Sequence, residues 1–518
     1  MNKMLGSDRD AVMAAAPKVD RRFSPTPRTM GLLVGLVVFV GMLAMDPPAG
    51  MPPKAWATAA VGILMAIWWV LETIPIPATS LLPLALLPLF GIKSITAASA
   101  PYANPLIFMF FGGFILALAM ERWNLQRRMA LNIIRWVGTN PTALVGGFMG
   151  ATAFLSMWVS NTATAAMMLP IGLSVIALFN ENAAKQGGGD HGKAFSSSLL
   201  LGIAYAASIG GVGTLIGTPP NALLAGYFSQ TYKVQIGFAD WMVMAVPMEI
   251  ILMVATWFIL TRVAYPVHSI KMPGAADIIR SEIDKLGPIS RGEGMIAVIF
   301  LITALLWTFQ PIINGWFPKL RLGDTEIAIF AALAIFIIPV DARKKVFLLD
   351  WKATQGLPWG ILLLFGGGLS LGAAILDTGL SKWIAESMSM AADWPSWVMV
   401  VIVVLAVMTI SHFTSNTATA AAFLPLTAAL AVSLGENPLY LAIPTALAAS
   451  FVFMLPVATP PNAMVFASGQ LTVGEMAKAG SYINLVSIVL ILVMAYTLMG
   501  IAFGVEAGVM PDWAMLKK

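Results

Sequence analysis

One polar phrase occurs twice in this sequence, each time inside apolar surroundings. Ser-Asn-Thr-Ala-Thr-Ala-Ala occupies residues 160–166 and again residues 415–421. Because Ser, Asn and Thr are preferred at helix N-caps, each copy predicts a turn that opens into a new helix. Free backbone N–H groups and the positive end of the helix dipole favour an anion there, and the oxygens on the other face of the turn suit a hard cation such as sodium. The phrase therefore indicates a site for an anion and a cation together.

A second phrase, Thr-Pro-Pro-Asn-Ala, occurs at residues 218–222 and 459–463. Two prolines in an apolar helix remove donors and break the hydrogen-bond ladder, which is tolerated inside a membrane only where the backbone is buried or lines a cavity. Phe-Gly-Gly also recurs, at 111–113 and 365–367. Three phrases repeated in the same order predict two homologous halves. Neither polar phrase contains Lys or Arg, so dipoles, amides, hydroxyls and co-bound cations would have to neutralise an anion.

The composition is that of a membrane protein. Of 518 residues, 58% are hydrophobic and 11% charged, and apolar windows at 29–45, 55–71, 241–265, 295–309 and 482–503 are among roughly ten or more of spanning length. The absence of Cys excludes thiol chemistry, and three unclustered His residues give no reason to expect a transition-metal site. No cofactor is expected beyond sodium as an ion bound together with the anion. Cytoplasmic loops account for the net charge of +5, so no nucleic-acid partner is expected.

Flanking charges predict how the halves are oriented. The basic segment 1–28 and the polar linker 266–293 are predicted to be cytoplasmic, with repeats at 29–265 and 294–518. Basic residues flank the first Ser-Asn-Thr copy on both sides, whereas acidic residues flank the second and no Lys or Arg lies between Lys382 and Lys478. Hairpins at about 141–179 and 395–435, each followed by a broken helix at about 195–235 and 439–470, would then enter from opposite sides. Inverted repeats of this kind are typical of secondary transporters.

At these phrases the chain resembles the divalent anion:sodium symporter family, whose members carry dicarboxylates, citrate or sulfate. The resemblance implies an all-α polytopic membrane protein with inverted repeats, two re-entrant helical hairpins and two broken helices. It also implies a homodimer with a scaffold and an elevator-type transport domain, the latter at roughly 101–235 and 351–480. The plasma (inner) membrane, with the N-terminus in the cytoplasm, is the expected location.

The same resemblance implies the site residues. The substrate would be held by Ser160, Asn161, Thr162, Ser415, Asn416, Thr417, Thr459 and Pro460. One sodium site would use Ser156, Ser160, Asn161 and Gly217, and the second would use Ser411, Thr414, Asn416 and Ala458.

Two ionisable residues are open to more than one interpretation. His412 stands where many sodium-coupled relatives have an acidic residue; a neutral imidazole bonded to a backbone carbonyl is favoured over a modifier of ion coupling. Glu72 follows Trp68 and Trp69. A position at the water interface, with both tryptophans in an aromatic belt, is favoured over a carboxylate on the ion path.

The function predicted from these features is sodium-coupled symport of a divalent anion, with a C4-dicarboxylate such as succinate as the first choice. An exchanger or a proton-coupled carrier of dicarboxylate or citrate is the alternative that His412 suggests. A distant alternative is an intramembrane serine hydrolase using Ser411 or Ser415 with His412, but adjacent helical residues point in different directions and the duplication would be unexplained. The chain is therefore predicted not to be an enzyme.

Overall fold

The computed structural model of the protein describes residues 27–138, 140–185, 191–267, 274–387 and 394–514. Most of the predicted cytoplasmic segment 1–28 thus lies outside the described residues. Within the described residues, nine helices are long and apolar enough to cross a membrane, and five shorter helices are also apolar. The only strands found there form a two-stranded antiparallel sheet, β1 (Pro339–Asp341) and β2 (Val346–Phe347). The prediction of an all-α, multi-pass membrane protein is confirmed.

Twelve helices are described in the first half of the chain. They are α1 (Pro27–Ala44), α2 (Pro53–Val70), α3 (Ile76–Thr79), α4 (Leu82–Leu89), α5 (Ile95–Ser99), α6 (Pro105–Arg122), α7 (Leu125–Val137), α8 (Pro141–Ser156), α9 (Asn161–Lys185), α10 (His191–Gly211), α11 (Pro219–Thr231) and α12 (Phe238–Phe258). A 3-10 turn (Ala100–Ala103) precedes α6, and a π-helical segment (Ile259–Ala264) extends α12.

The second half begins after a linker helix, α13 (Ala275–Leu286). It contains α14 (Arg291–Trp316), α15 (Asp324–Ile337), α16 (Trp359–Asp377), α17 (Leu380–Ser387), α18 (Ser396–Ser411), α19 (Asn416–Ser433), α20 (Leu439–Ser450), α21 (Pro460–Ala467), α22 (Val473–Ala495) and α23 (Leu498–Phe503). Short 3-10 turns lie at Trp351–Gly356, Pro456–Ala458 and Asp512–Ala514.

Each Ser-Asn-Thr phrase forms the tip of a helical hairpin. In the first hairpin α8 ends at Ser156 and α9 begins at Asn161; in the second, α18 ends at Ser411 and α19 begins at Asn416. The two turns therefore fall at the same place in the phrase. Asn140 starts the first hairpin, because its side chain accepts a hydrogen bond from the Thr142 N–H at 3.1 Å and leads into a proline at the first helical position.

Each Thr-Pro-Pro-Asn phrase restarts a helix after a break. The chain leaves α-helical geometry after Gly211 and resumes it at Pro219, and in the second half the α-helix is interrupted between Ser450 and Pro460. Proline suits the first turn of the new helix, where its missing N–H would have no partner anyway. Helices α10 and α20, which lead into the breaks, are almost entirely buried, whereas α14 exposes most of its apolar side chains, as a lipid-facing helix does.

The repeated Phe-Gly-Gly phrases allow close packing. A Cβ on Gly112 would overlap the backbone carbonyl of Ala328 in α15, and a Cβ on Gly367 would overlap the backbone carbonyl of Ser80. Only glycine lets the backbones approach this closely, which is how small residues are used between membrane helices. Beside these contacts, the rings of Phe110 and Phe365 meet edge to face with centroids 5.2 Å apart, which joins α6 to α16.

Candidate functional site

The N-termini of four helices meet at one cavity of about 870 Å³. Two belong to the hairpin tips, at α9 and α19, and two to the restarted helices, at α11 and α21. Their first turns line the cavity through the following residues: Ser160, Asn161, Thr162, Thr218, Pro219, Ser415, Asn416, Thr417, Thr459 and Pro460. Apolar side chains complete the wall, among them Phe110, Ile216, Phe413 and Val457. A polar floor of helix starts within an apolar wall is the form expected of a small-anion site.

Among the described lining residues, only backbone groups supply positive charge to this cavity. No Lys or Arg is among the described residues that line it, and the charged side chains there are those of Glu72 and Glu121. Each helix N-terminus carries the equivalent of about half an elementary charge. Four of them together approximate the charge of a divalent anion, but co-bound cations would have to offset the two carboxylates.

A cluster of oxygen atoms adjoins the first tip. The Asn161 Oδ1 position is 2.7 Å from Ser156 Oγ, 3.1 Å from the Ala207 carbonyl oxygen and 3.3 Å from the Gly217 carbonyl oxygen. The Ser156 hydroxyl also lies 2.7 Å from the Ala207 carbonyl oxygen. These closely spaced oxygen atoms can be stabilised in two ways. The Asn161 amide can turn so that its N–H₂ donates to these acceptors, or a cation can lie among them.

The second tip repeats this arrangement. The Ser411 hydroxyl is 2.8 Å from the Ala449 carbonyl oxygen and 3.1 Å from Asn416 Oδ1. Thr414, in the turn, donates to the Ile410 carbonyl at 3.0 Å and shares a 2.6 Å hydrogen bond with the Thr419 hydroxyl. Each tip thus presents a serine hydroxyl, an asparagine amide and a carbonyl of the neighbouring broken helix in the same relative order.

The structure brings the sequence-predicted residues together in two layers. All eight residues implied as substrate contacts line the cavity, as do Gly217, Thr414 and Ala458. Ser156 and Ser411 are fully buried behind that wall, where their hydroxyls form hydrogen bonds with the asparagine amides and the carbonyls of the broken helices. The predicted caps differ between the tips: Ser160 accepts from the Ala163 N–H at 3.3 Å, whereas the Ser415 side chain caps nothing.

The asparagines of the Thr-Pro-Pro-Asn phrases donate hydrogen bonds to the helix breaks, a role that the sequence pattern does not reveal. Asn221 Nδ2 donates to the carbonyls of Val212 and Thr214 at 3.1 and 2.8 Å, and Asn462 Nδ2 donates to the Leu455 carbonyl at 3.0 Å. A helix break removes the N–H partners of nearby carbonyls and would leave those carbonyls free. Several are instead satisfied by these side chains, because a buried carbonyl without a partner is costly.

His412 lies outside the cavity lining, in a set of hydrogen bonds behind the second tip. Its Nδ1–H donates to the Met408 carbonyl at 2.6 Å, and its Nε2 accepts from Asn484 Nδ2 at 3.2 Å and from the Met454 N–H at 3.4 Å. Two donors facing Nε2 fix a neutral imidazole. The favoured interpretation, a neutral histidine bonded to a backbone carbonyl, agrees with this geometry.

Sequence reasoning missed one cavity residue, Glu121, and misplaced the tryptophans that precede another, Glu72. Glu121, near the end of α6, looks like an ordinary charged helix end, and only its packing brings it to the cavity. Glu72 lines the cavity as well, in a bend with a positive φ of 44°. The aromatic-belt interpretation of its neighbours is wrong: Trp69 is fully buried and donates to Ser80 Oγ at 3.2 Å, and Trp68 is nearly buried.

Comparison with known proteins decides which family these features belong to. Residues 27–503 match the family profile described as the sodium:sulfate symporter transmembrane region. The chain belongs to this family. The resemblance to the divalent anion:sodium symporters is thereby confirmed, and the chain is a membrane transporter and not an enzyme.

Members of the family are similar to this chain over almost its whole length. The sodium-dependent dicarboxylate transporter SdcS of Staphylococcus saprophyticus is 40% identical over 480 residues, which make up 92% of this chain and 92% of that protein. The transporter of the same name from Staphylococcus aureus strain MRSA252 is 40% identical over 503 residues, 96% of each chain.

Solved structures with the same fold are distant in sequence. The Alcanivorax borkumensis YdaH transporter superposes on 86% of this chain and 98% of its own with a TM-score of 0.56 at 14% identity. Neisseria gonorrhoeae MtrF does so over 92% and 95% with a TM-score of 0.55 at 12% identity. At these identities the likeness concerns the fold alone.

Proposed function

We propose that this protein couples the inward movement of sodium to the uptake of a divalent anion. The observation that carries the proposal is the convergence of four helix N-termini on one cavity without Lys or Arg among its described lining residues, beside two oxygen clusters of the same design. Partial charges can orient an anion there, and cations at the clusters complete its neutralisation.

Sodium occupies both clusters in this proposal. The first site takes oxygens from Ser156, Ser160, Asn161 and Gly217, and the second from Ser411, Thr414, Asn416 and Ala458. Hydroxyl, amide and carbonyl oxygens are the ligands that a hard cation prefers. Because Asn161 and Asn416 also face the cavity, a sodium ion that holds either amide fixes part of the anion site. Binding of the two ligands would therefore be mutually favourable.

The anion is proposed to be a C4-dicarboxylate such as succinate. Two carboxylates at the ends of a short chain match two similar tips, with Ser160, Asn161 and Thr162 on one side and Ser415, Asn416 and Thr417 on the other. Thr459 and Pro460 complete the contacts. The names of the two staphylococcal relatives, which are sodium-dependent dicarboxylate transporters, support this choice over citrate or sulfate.

The movement proposed is that of an elevator in a homodimer. Roughly residues 101–235 and 351–480 would move against the remainder, with inverted repeats at 29–265 and 294–518 joined by the linker 266–293. The interlocking of the two halves supports a transport domain that moves as one body, because α11 packs on α19 and α21 packs on α9. The N-terminus is proposed to face the cytoplasm, at the plasma (inner) membrane.

Uptake into proteoliposomes tests the function. Purified protein should accumulate labelled succinate under an inward sodium gradient and should not do so when potassium replaces sodium. A competition panel of dicarboxylates, citrate and sulfate then ranks the anions. Absence of gradient-driven uptake for every one of these anions refutes the proposal, and sodium-independent counterflow from succinate-loaded vesicles would assign exchange instead.

Paired variants separate the two layers of the site. Ser156→Ala and Ser411→Ala alter residues behind the cavity wall, so they should raise the sodium concentration needed for half-maximal uptake by about tenfold while leaving the succinate KM at saturating sodium nearly unchanged. Thr162→Val and Thr417→Val, in the wall, should mainly raise that KM. Ser174→Ala, on the exposed side of α9, is the matched control and should change neither.

A further inference from the structure

Helix α12 carries a carboxyl group that neither proposed site uses. Glu249 is only 6% exposed, and its Oε2 has no hydrogen-bond partner. The group lies directly against the first helix break: a Cβ on Gly213 would overlap Glu249 Oε2 and would lie 3.1 Å from the Met157 methyl carbon. A buried carboxylate in such surroundings is costly unless it is neutralised or paired.

No described side chain neutralises Glu249. Helix α12 packs against α8, α10, α14, α22, α23 and the π-helical segment. The charged and phenolic groups described on these elements, together with Tyr265 and the helix's own Asp240, are all engaged elsewhere or exposed. Lys193 pairs with Glu475 and Glu293 with Arg128; Tyr205 and Tyr265 donate to the carbonyls of Met476 and Glu475; Asp240, Arg262, Arg291, Lys478 and Tyr482 are exposed.

The second half shows what fills the equivalent place there. Asn484 stands as far beyond its N-cap residue on α22 as Glu249 does on α12. His412 follows Ser411 as Met157 follows Ser156, and Met454 precedes its Thr-Pro-Pro-Asn phrase by the same interval as Gly213. In that half, Asn484 and the Met454 N–H both donate to a neutral His412. In the first half, the Glu249 carboxyl stands where this set of hydrogen-bonded groups lies in the second half.

We propose that Glu249 is a proton-binding residue whose ionisation is coupled to the cation at the first tip. This rests on the proposed sodium site at Ser156, Asn161 and Gly217. Met157 directly follows Ser156, and Gly213 lies in the break that ends at Gly217. The Glu249 carboxyl lies against Gly213, so it is next to the two segments that form the oxygen cluster. When sodium enters the cluster, the Glu249 carboxyl releases its proton to solvent and the resulting carboxylate stabilises the cation. Protonation in the absence of sodium leaves the group neutral.

Sodium binding to the purified, substrate-free protein tests this coupling without interference from a titrating substrate. The sodium concentration that gives half of the maximal rise in melting temperature is measured from about pH 5.5 to about pH 8.5 at constant ionic strength. In the unmodified protein it should fall by about tenfold as pH rises. Glu249→Gln should hold it at the weak, low-pH value throughout. His412→Gln is the control and should keep the pH dependence.

A second measurement needs no variant. Sodium added to the weakly buffered protein at about pH 6 should release protons to a pH indicator, whereas potassium should not. The inference is overturned if Glu249→Gln retains the pH dependence, if the unmodified protein has none, or if sodium releases no proton. Failure of the proposed function would look different, since neither the protein nor its variants would then show sodium-driven uptake at any pH.

Discussion

Arg128 and Glu293 form a buried ion pair that ties α7 to the first turn of α14. Arg128 Nη2 also donates to Glu293 Oε2 at 3.2 Å and to the Gly287 carbonyl at 2.9 Å. Glu293 in turn closes a capping box with Ser290, whose hydroxyl accepts from the Glu293 N–H at 3.1 Å. One arginine therefore joins the first half, the linker and the start of the second half.

Removal of that arginine should be costly. Arg128→Ala leaves Glu293 buried without a cation, which is expected to lower the free energy of unfolding by about 3 kcal/mol. Thermal unfolding in detergent, followed by intrinsic fluorescence, measures the change. The neighbouring Arg127→Ala is the matched control, because Arg127 pairs with Glu282 at a more exposed position and its loss should cost less than about 1 kcal/mol. Equal effects of the two variants would contradict this account.

Acid should destabilise the linker helix α13. A hydrogen bond from Lys285, assisted by Arg127, holds the pKa of Glu282 below its ordinary value. A lowered carboxyl pKa contributes stability that is present above the unfolded pKa of about 4.3 and is lost as pH falls through the folded value. Limited proteolysis near α13 should therefore accelerate below about pH 4. Glu282→Gln should be equally susceptible at neutral and acidic pH, and an unchanged acid response in this variant would refute the assignment.

Gly217 has no room for a side chain. A Cβ there would overlap the carbonyl of Gly211, so Gly217→Ala must move the carbonyl that faces Asn161. Sodium affinity should fall by about tenfold or more, measured as the sodium dependence of uptake. Gly150→Ala in α8 is the control, because nothing lies within 4 Å of its Cβ position. Undiminished sodium affinity in Gly217→Ala would show that this carbonyl is not a sodium ligand.

His412 should matter for stability rather than for coupling. His412→Ala leaves Asn484 Nδ2 and the Met454 N–H without their acceptor, at a cost of about 1–3 kcal/mol in unfolding free energy. His412→Gln retains an acceptor and should preserve sodium-driven uptake. Uptake that follows an imposed pH gradient in the unmodified protein and disappears in His412→Gln would instead establish proton coupling through this residue.

The carboxylates of the cavity should oppose the anion. Glu72→Gln and Glu121→Gln each remove a negative charge from the lining, so the KM for succinate should fall by roughly two- to fivefold at low ionic strength. The difference should shrink at high salt because the charges are then screened. Initial uptake rates at two ionic strengths provide the test, and a rise in KM would show that these groups serve the cation path.

How much the sequence predicts depends on where a residue's partners lie. The turns at Ser160 and Ser415 and the restarts at Pro219 and Pro460 follow from local chemistry, since capping side chains and proline act within one helical turn. Their repetition then identifies the family without any knowledge of packing.

Residues whose role depends on distant neighbours could not be predicted in this way. Trp69 was assigned to the membrane interface, yet it is buried against Ser80, because composition does not say which side of a helix meets another helix. Glu121 reaches the cavity only through the packing of α6. Glu249 is one apolar-flanked carboxyl in a long hydrophobic run, and its contact with Gly213 depends on a helix break far upstream.

The cavity holds no fixed cation among its described residues, and this has a consequence for leakage. An anion that enters without co-bound cations meets the partial charges of the helix N-termini and the charges of two carboxylates. Its binding is therefore unfavourable. In the proposed function, this electrostatic penalty opposes futile cycling, in which a carrier lets an anion cross down its gradient without cations. In the proposed function, coupling is therefore enforced at the binding step, because an anion without its cations binds poorly.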